Sequence, residues 1–146
     1  AQTRLAGAHG LPLIIHRREA HDDTLAILES EAGASVGGVF HCFSGNLEMA
    51  EFAWRNGFRT SFSGTLTFKN AAALREIAAS APDEALLTET DAPFLSPHPH
   101  RGRRNEPARV ADVVRCLADA RGASPEPIGQ LTTRNFEATF PRLATA

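Results

Sequence analysis

The chain has 146 residues, 42% of them hydrophobic and 22% charged, the make-up of an ordinary soluble globular protein with enough length for a real core. Its formal net charge of −2 excludes bulk attraction to nucleic acid, so any such contact needs a local basic patch. There is no signal-peptide pattern, no apolar run of about 18 residues for a membrane span, and no CxxC pair among the two distant cysteines, which argues against a disulfide scaffold and a zinc knuckle and makes a reducing cytoplasm the expected location.

In chain order, residues 11–16 are an apolar run ending in His16. Continuous hydrophobicity of this kind predicts a parallel strand covered on both faces. Residues 22–32 carry Leu25, Leu28 and Ala32 at helical spacing, closed by Gly33. A second apolar strand, 36–41, again ends in a histidine, His41. Asn46 is a good N-cap for a helix through Trp54 that stops near Gly57. The third strand is expected over 58–63, an alanine-rich helix over 70–80 before Pro82, and the fourth strand over 85–89.

A proline- and arginine-rich loop runs from Ala92 to about Arg104. Beyond it, Val110, Val113, Val114, Leu117 and Ala118 follow the spacing of an amphipathic helix. Ser124 and Pro125 form a cap and first turn for a last helix, on which Ile128, Leu131, Asn135 and Phe136 share a face. The expected order is therefore β-α-β-α-β-α-β-loop-α-α, an α/β chain with no sequence repeat and no internal linker. Four strands do not close an eight-stranded barrel, so the pattern fits a small open sheet or half of something larger.

Three strands end in residues able to bind a metal: His16, His41 and Asp91, the last just after Glu89. In a parallel α/β fold the strand C-termini share one face, and that face carries the chemistry. Each residue alone has a plain structural use, as a loop anchor or a turn cap before Pro93, but together they converge on one rim. Imidazole with carboxylate suits zinc, manganese or a similar divalent ion. Cys42 should face the helical layer, because side chains alternate along a strand, and Cys116 lies on the amphipathic helix; both read as core.

Beside this rim, the stretch 98–109 holds Arg101, Arg103, Arg104 and Arg109 against one acid, Glu106. Charge runs usually form solvated loops, but a cationic patch next to a metal site suits an anionic substrate, phosphate foremost. Arg18 and Lys69 extend the same surface. Phe43, Phe62, Phe68 and Phe94 fall near the same strand ends, where one ring would be able to stack on a base and at least two belong to the core.

The segments LPLIIHRREAHDDTLAIL, GVFHCFSG, TSFSGTLTFKN, LLTETDAPFLSPHPHRGRRNEP and TTRNFEATF, in this order and spacing, resemble the TatD family of metal-dependent hydrolases from about Leu11 to Phe140. The resemblance implies a TIM-type (β/α)₈ barrel of amidohydrolase kind holding two divalent ions, of which magnesium, manganese and zinc are the candidates. It implies that His16 and His41 bind one ion, that Asp91 binds the other and acts on the attacking water, and that Glu89 shapes the site without binding the ion itself. Arg18, Lys69, Arg101 and Arg104 would hold the substrate phosphate.

By the same resemblance the four strands correspond to barrel strands five to eight. Residues 1–146 would then be the C-terminal part of one barrel domain. The N-terminal half, with its HxH pair and bridging glutamate, is absent; the start at Ala1, with no methionine before Met49, agrees with a longer parent. The implied activity of the full-length form is deoxyribonuclease action, a 3′-to-5′ hydrolysis of phosphodiester bonds by metal-activated water. Single-stranded DNA is the leading substrate, with RNA as a further one. The rivals are hydrolysis of another ester or amide, such as D-aminoacyl-tRNA, and an inactive half-barrel that self-associates through its open edges.

Overall fold

The computed structural model describes residues 1–17, 20–31 and 35–141. Four strands, β1 (Leu13–Ile15), β2 (Gly38–Phe40), β3 (Phe58–Phe62) and β4 (Leu86–Thr88), form one parallel sheet in the order β1-β2-β3-β4. The order never reverses, and parallel crossovers are almost always right-handed, so successive helices fall on the same side. A doubly wound sheet would reverse its strand order to cover both sides. The sheet is therefore built as a segment of a barrel wall, with helices outside and a concave face within.

The alternation along the strands decides which residues face each way. Phe40, Phe58, Phe62 and Leu86 point outward and are at most 2% exposed, within a core shared with Met49, Phe52, Val113, Leu117 and Ile128. Phe40 and Phe58 meet edge-on at 5.5 Å between ring centroids. On the concave face, Ile14, Val39, Ser61 and Leu87 line an apolar groove whose rim carries His41 and Glu89. Phe136 and Phe140 close one side of it. Gly38 lets β1 and β2 approach, since a Cβ there would lie 2.1 Å from the carbonyl oxygen of Leu13.

The described residues form six α-helices: α1 (Gln2–His9), α2 (His21–Ser30), α3 (Leu47–Arg55), α4 (Ala72–Ser80), α5 (Val110–Ala120) and α6 (Pro125–Thr139). None among the described residues is long and apolar enough to cross a membrane. α3 follows its sequence signal closely: Asn46 caps it by accepting from the Met49 N–H at 3.0 Å, and Met49, Ala50, Phe52 and Ala53 are buried. Replacing Asn46 by Ala should lower stability by about 1 kcal/mol, read as an earlier urea midpoint with an unchanged slope.

Several elements differ from the sequence expectation. α1 has no counterpart there, and Arg4 on it pairs with Glu31 at the end of α2. The expected closure of α2 at Ala32 and Gly33 lies outside the described residues. Ser124 precedes α6 as expected but makes no side-chain capping bond. On α6, Asn135 turns inward and donates to the carbonyls of Asp83 and Leu86, whereas Phe136 is 46% exposed and borders the groove.

Candidate metal centre

The ends of the strands fix the site. The expected strands overrun the observed ones by one to three residues, yet the ladder bonds continue past them. The His41 N–H donates to the Ile15 carbonyl at 3.0 Å, and the Glu89 N–H donates to the Phe62 carbonyl at 2.9 Å. Two candidate side chains are thereby held by backbone hydrogen bonds at the C-terminal rim. His16, directly after β1, is exposed, and its ring centroid lies 5.7 Å from that of His41.

His41 stands between two carboxylates. Its Nδ1 is 2.8 Å from Glu89 Oε1 and its Nε2 is 3.4 Å from Asp91 Oδ1, all three side chains being between 19% and 27% exposed. One ligand atom from each of the three lies within 4.8 Å of the others. Glu89 is itself braced, because the Cys42 N–H donates to its other oxygen at 3.2 Å. Its Oε1 is buried and accepts no hydrogen bond of good geometry, although His41 Nδ1 lies 2.8 Å away. A buried carboxylate oxygen without a donor favours positive charge beside it.

The donor set, one imidazole and two carboxylates with a second imidazole adjacent, fits a divalent ion of the zinc, manganese or magnesium kind. An imidazole whose Nδ1 faces a carboxylate is oriented to offer Nε2 as the ligand atom. In that arrangement Glu89 positions His41, while His41 and Asp91 face each other across the place an ion would take.

Asp91 sits at φ 56°, a left-handed conformation that aspartate tolerates better than most residues. The loop after it is tied down. The Phe94 N–H donates to the Asp91 carbonyl at 2.9 Å, and the side chain of Asn105, only 3% exposed, donates to the carbonyls of Thr90 and Phe94 at 2.8 and 2.7 Å. Asn105 also donates its own N–H to the Pro93 carbonyl. Sequence reasoning missed Asn105, whose only signal is a neutral amide between the charged Arg104 and Glu106.

Cys42 corrects an expectation. The chain turns at this residue, φ 46°, so strand alternation has ended before it. Its thiol, half-buried, meets the Ser63 hydroxyl at 3.2 Å instead of the helical layer. Burial pushes this thiol above its ordinary pKa, the charges of Glu89 and Asp91 add to that, and the Ser63 hydrogen bond opposes it. Cys116 does pack against the core, as expected.

The cationic loop is partly structural. Arg109 is turned inward, 13% exposed, with its Nη1 2.5 Å from Ser96 Oγ, and leaves the patch. Arg101 lies 3.8 Å over the ring of Phe68 and bonds the Ser96 carbonyl, so the loop folds back on the segment after β3. The His98 N–H adds a bond to Thr67 there. Lys69, next to Phe68, and Arg103 and Arg104 are exposed. Arg18 lies outside the described residues.

Residues 1–141 match the family described as TatD related DNase. The uncharacterized metal-dependent hydrolase YcfH of Escherichia coli is 47% identical over 129 residues, covering 88% of this chain and 49% of that protein. A protein of Erwinia billingiae named 3′-5′ ssDNA/RNA exonuclease TatD is 35% identical over 145 residues, covering 96% of this chain and 56% of its own length. Among solved structures, YjjV of E. coli, a TatD homologue, superposes with a TM-score of 0.87 at 33% identity, covering 96% of this chain and 54% of the other. The chain thus spans about half the length of the relatives it matches.

Proposed function

Because this chain belongs to the TatD-related DNase family, we propose that it is the C-terminal part of a single metal-dependent barrel hydrolase that cleaves phosphodiester bonds of single-stranded nucleic acid from the 3′ end. The observation that carries the proposal is the meeting of His41, Glu89 and Asp91 at the strand C-termini, with His16 alongside. The name of the Erwinia relative supports the choice of substrate. So does the cationic loop, whose exposed arginines suit phosphate oxygens better than a neutral ester.

His16, His41 and Asp91 are the residues that would hold divalent ions. Such ions, when bound, lower the pKa of a coordinated water and offset charge on phosphoryl oxygens. Glu89 keeps the His41 ring in place. The Asp91 carboxylate, 26% exposed at the open rim, accepts the proton of the attacking water. Arg101, Arg104 and Lys69, with Arg18, hold the substrate phosphate and neutralise its growing charge.

The test is made on the chain extended to the full length of its relatives. It should release mononucleotides from the 3′ end of a labelled single strand, lose that activity on chelation and regain it with manganese or magnesium. Release of amino acid from D-aminoacyl-tRNA, with the oligonucleotide left intact, would overturn the nuclease reading and keep the hydrolase. The reading frame upstream of Ala1 tests the domain proposal separately: an HxH pair and a strand-borne glutamate are expected there.

A further inference from the structure

Among the exposed large hydrophobic side chains of the described residues, Phe94 is the most exposed, at 68%. It stands three residues from Asp91, in the loop that also carries Arg101, Arg103 and Arg104. An apolar ring left in water beside a proposed charged site costs solvation free energy and makes no core contact in return.

The backbone beneath this ring is fixed. The Phe94 N–H donates to Asp91 and its carbonyl accepts from buried Asn105. The next residue, Leu95, is left-handed at φ 51° and its carbonyl abuts Gly64. A ring presented on a loop held by these bonds loses little entropy when it meets a partner, which is the property of a preformed contact.

The other phenylalanines near the strand ends are already used. Phe43 and Phe62 are at most 2% exposed and stack edge-on with each other at 6.0 Å. One face of Phe68 is covered by the Arg101 guanidinium. Phe94 alone of the four is exposed. A nucleotide presents both an anion and an aromatic face. The cations of this loop answer the first, and Phe94 answers the second.

We propose that Phe94 is the platform on which a nucleobase next to the scissile phosphate stacks, a residue that favours unpaired bases over paired ones. The proposal rests on the nucleic-acid reading above. A base held in a duplex already has its faces occupied by neighbours, so a fixed ring at the rim gains contact only with a strand end or an unpaired base.

The experiment uses the chain extended to the full length of its relatives, with manganese and a single-stranded oligonucleotide carrying 2-aminopurine at its 3′ end and a phosphorothioate last linkage to slow cleavage. Binding should quench the 2-aminopurine fluorescence. Phe94→Ala should remove the quench and weaken binding about 5- to 100-fold, while Phe94→Trp retains both. Removing the terminal base from the oligonucleotide should weaken wild-type binding by a similar factor and leave Phe94→Ala unaffected, because the two changes delete the same contact. The thermal midpoint of Phe94→Ala should match wild type, since the lost ring is mostly solvated. Normal quench and affinity in Phe94→Ala would overturn the stacking role alone. Failure of the wild-type chain to bind the oligonucleotide would overturn the nucleic-acid reading and the stacking role together.

Discussion

Replacing Asp91 by Asn should weaken divalent-ion binding by about 100-fold or more, and abolish turnover in the full-length protein, while leaving the fold intact. The choice of Asn matters. Position 91 is held at φ 56°, where Asn and Asp are the side chains that pay least, so the substitution keeps both backbone and volume. An alanine there would add backbone strain to the loss of charge and confuse the two. The Asn105 and Phe94 bonds to this segment use main-chain atoms of residues 90, 91 and 94, and none depends on the Asp91 carboxylate. What Asn removes is the anionic oxygen facing His41 Nε2 at 3.4 Å. Calorimetric titration with manganese on the purified variant reads the first effect and thermal melting the second. Unchanged manganese affinity at an unchanged melting temperature would remove Asp91 from the proposed ligand set.

Much of this arrangement is legible in the sequence because it is local. The continuous apolar runs mark the four strands, and a histidine or carboxylate at the end of a parallel strand can only lie on one rim. α1 is not legible, since its sequence QTRLAGAH shows no apolar stripe, has no side-chain cap, and buries only Thr3 and Ala6. Its one signal was Gly10, left-handed at φ 60° just past the helix, where a C-terminal glycine belongs. The supports of the site are also hidden, because they join residues far apart in the chain. Cys42 braces Glu89 from 47 positions away, and Asn105 binds Thr90 from 15. Alternation fails at Cys42 for a related reason: the chain must turn out of the strand to bring its N–H to that carboxylate. The arginine run reads as one patch in sequence, but Arg109 turns inward to Ser96, leaving Arg101, exposed over the Phe68 ring, with Arg103 and Arg104 as its open members.

One of these long-range supports can be broken by a single methyl group. Gly64, two residues past the end of β3, lies against the loop that follows Asp91: a Cβ there would stand 1.9 Å from the Leu95 carbonyl oxygen and 3.1 Å from the Pro97 nitrogen. Both obstacles are backbone, so neither can be relieved by a side-chain rotation. Leu95 has little freedom to retreat, being left-handed at φ 51° and next to Phe94, whose carbonyl is held by Asn105. Gly64→Ala should therefore cost about 3 kcal/mol, at the upper end of overpacking penalties, and lower the thermal midpoint by roughly 6–12 °C. If the chain relieves the clash by moving the loop, the displacement passes to Asp91 through the Asp91–Phe94 turn. Manganese affinity should then fall along with stability, although Gly64 carries no ligand atom. A control at Gly102 separates the two effects. That glycine is also left-handed, at φ 80°, but a Cβ on it would meet nothing within 4 Å, so Gly102→Ala carries backbone strain without a clash. Gly102→Ala should lose some stability and keep its manganese affinity. Equal loss of affinity in both variants would mean that the loop is not positioned by its contact with Gly64.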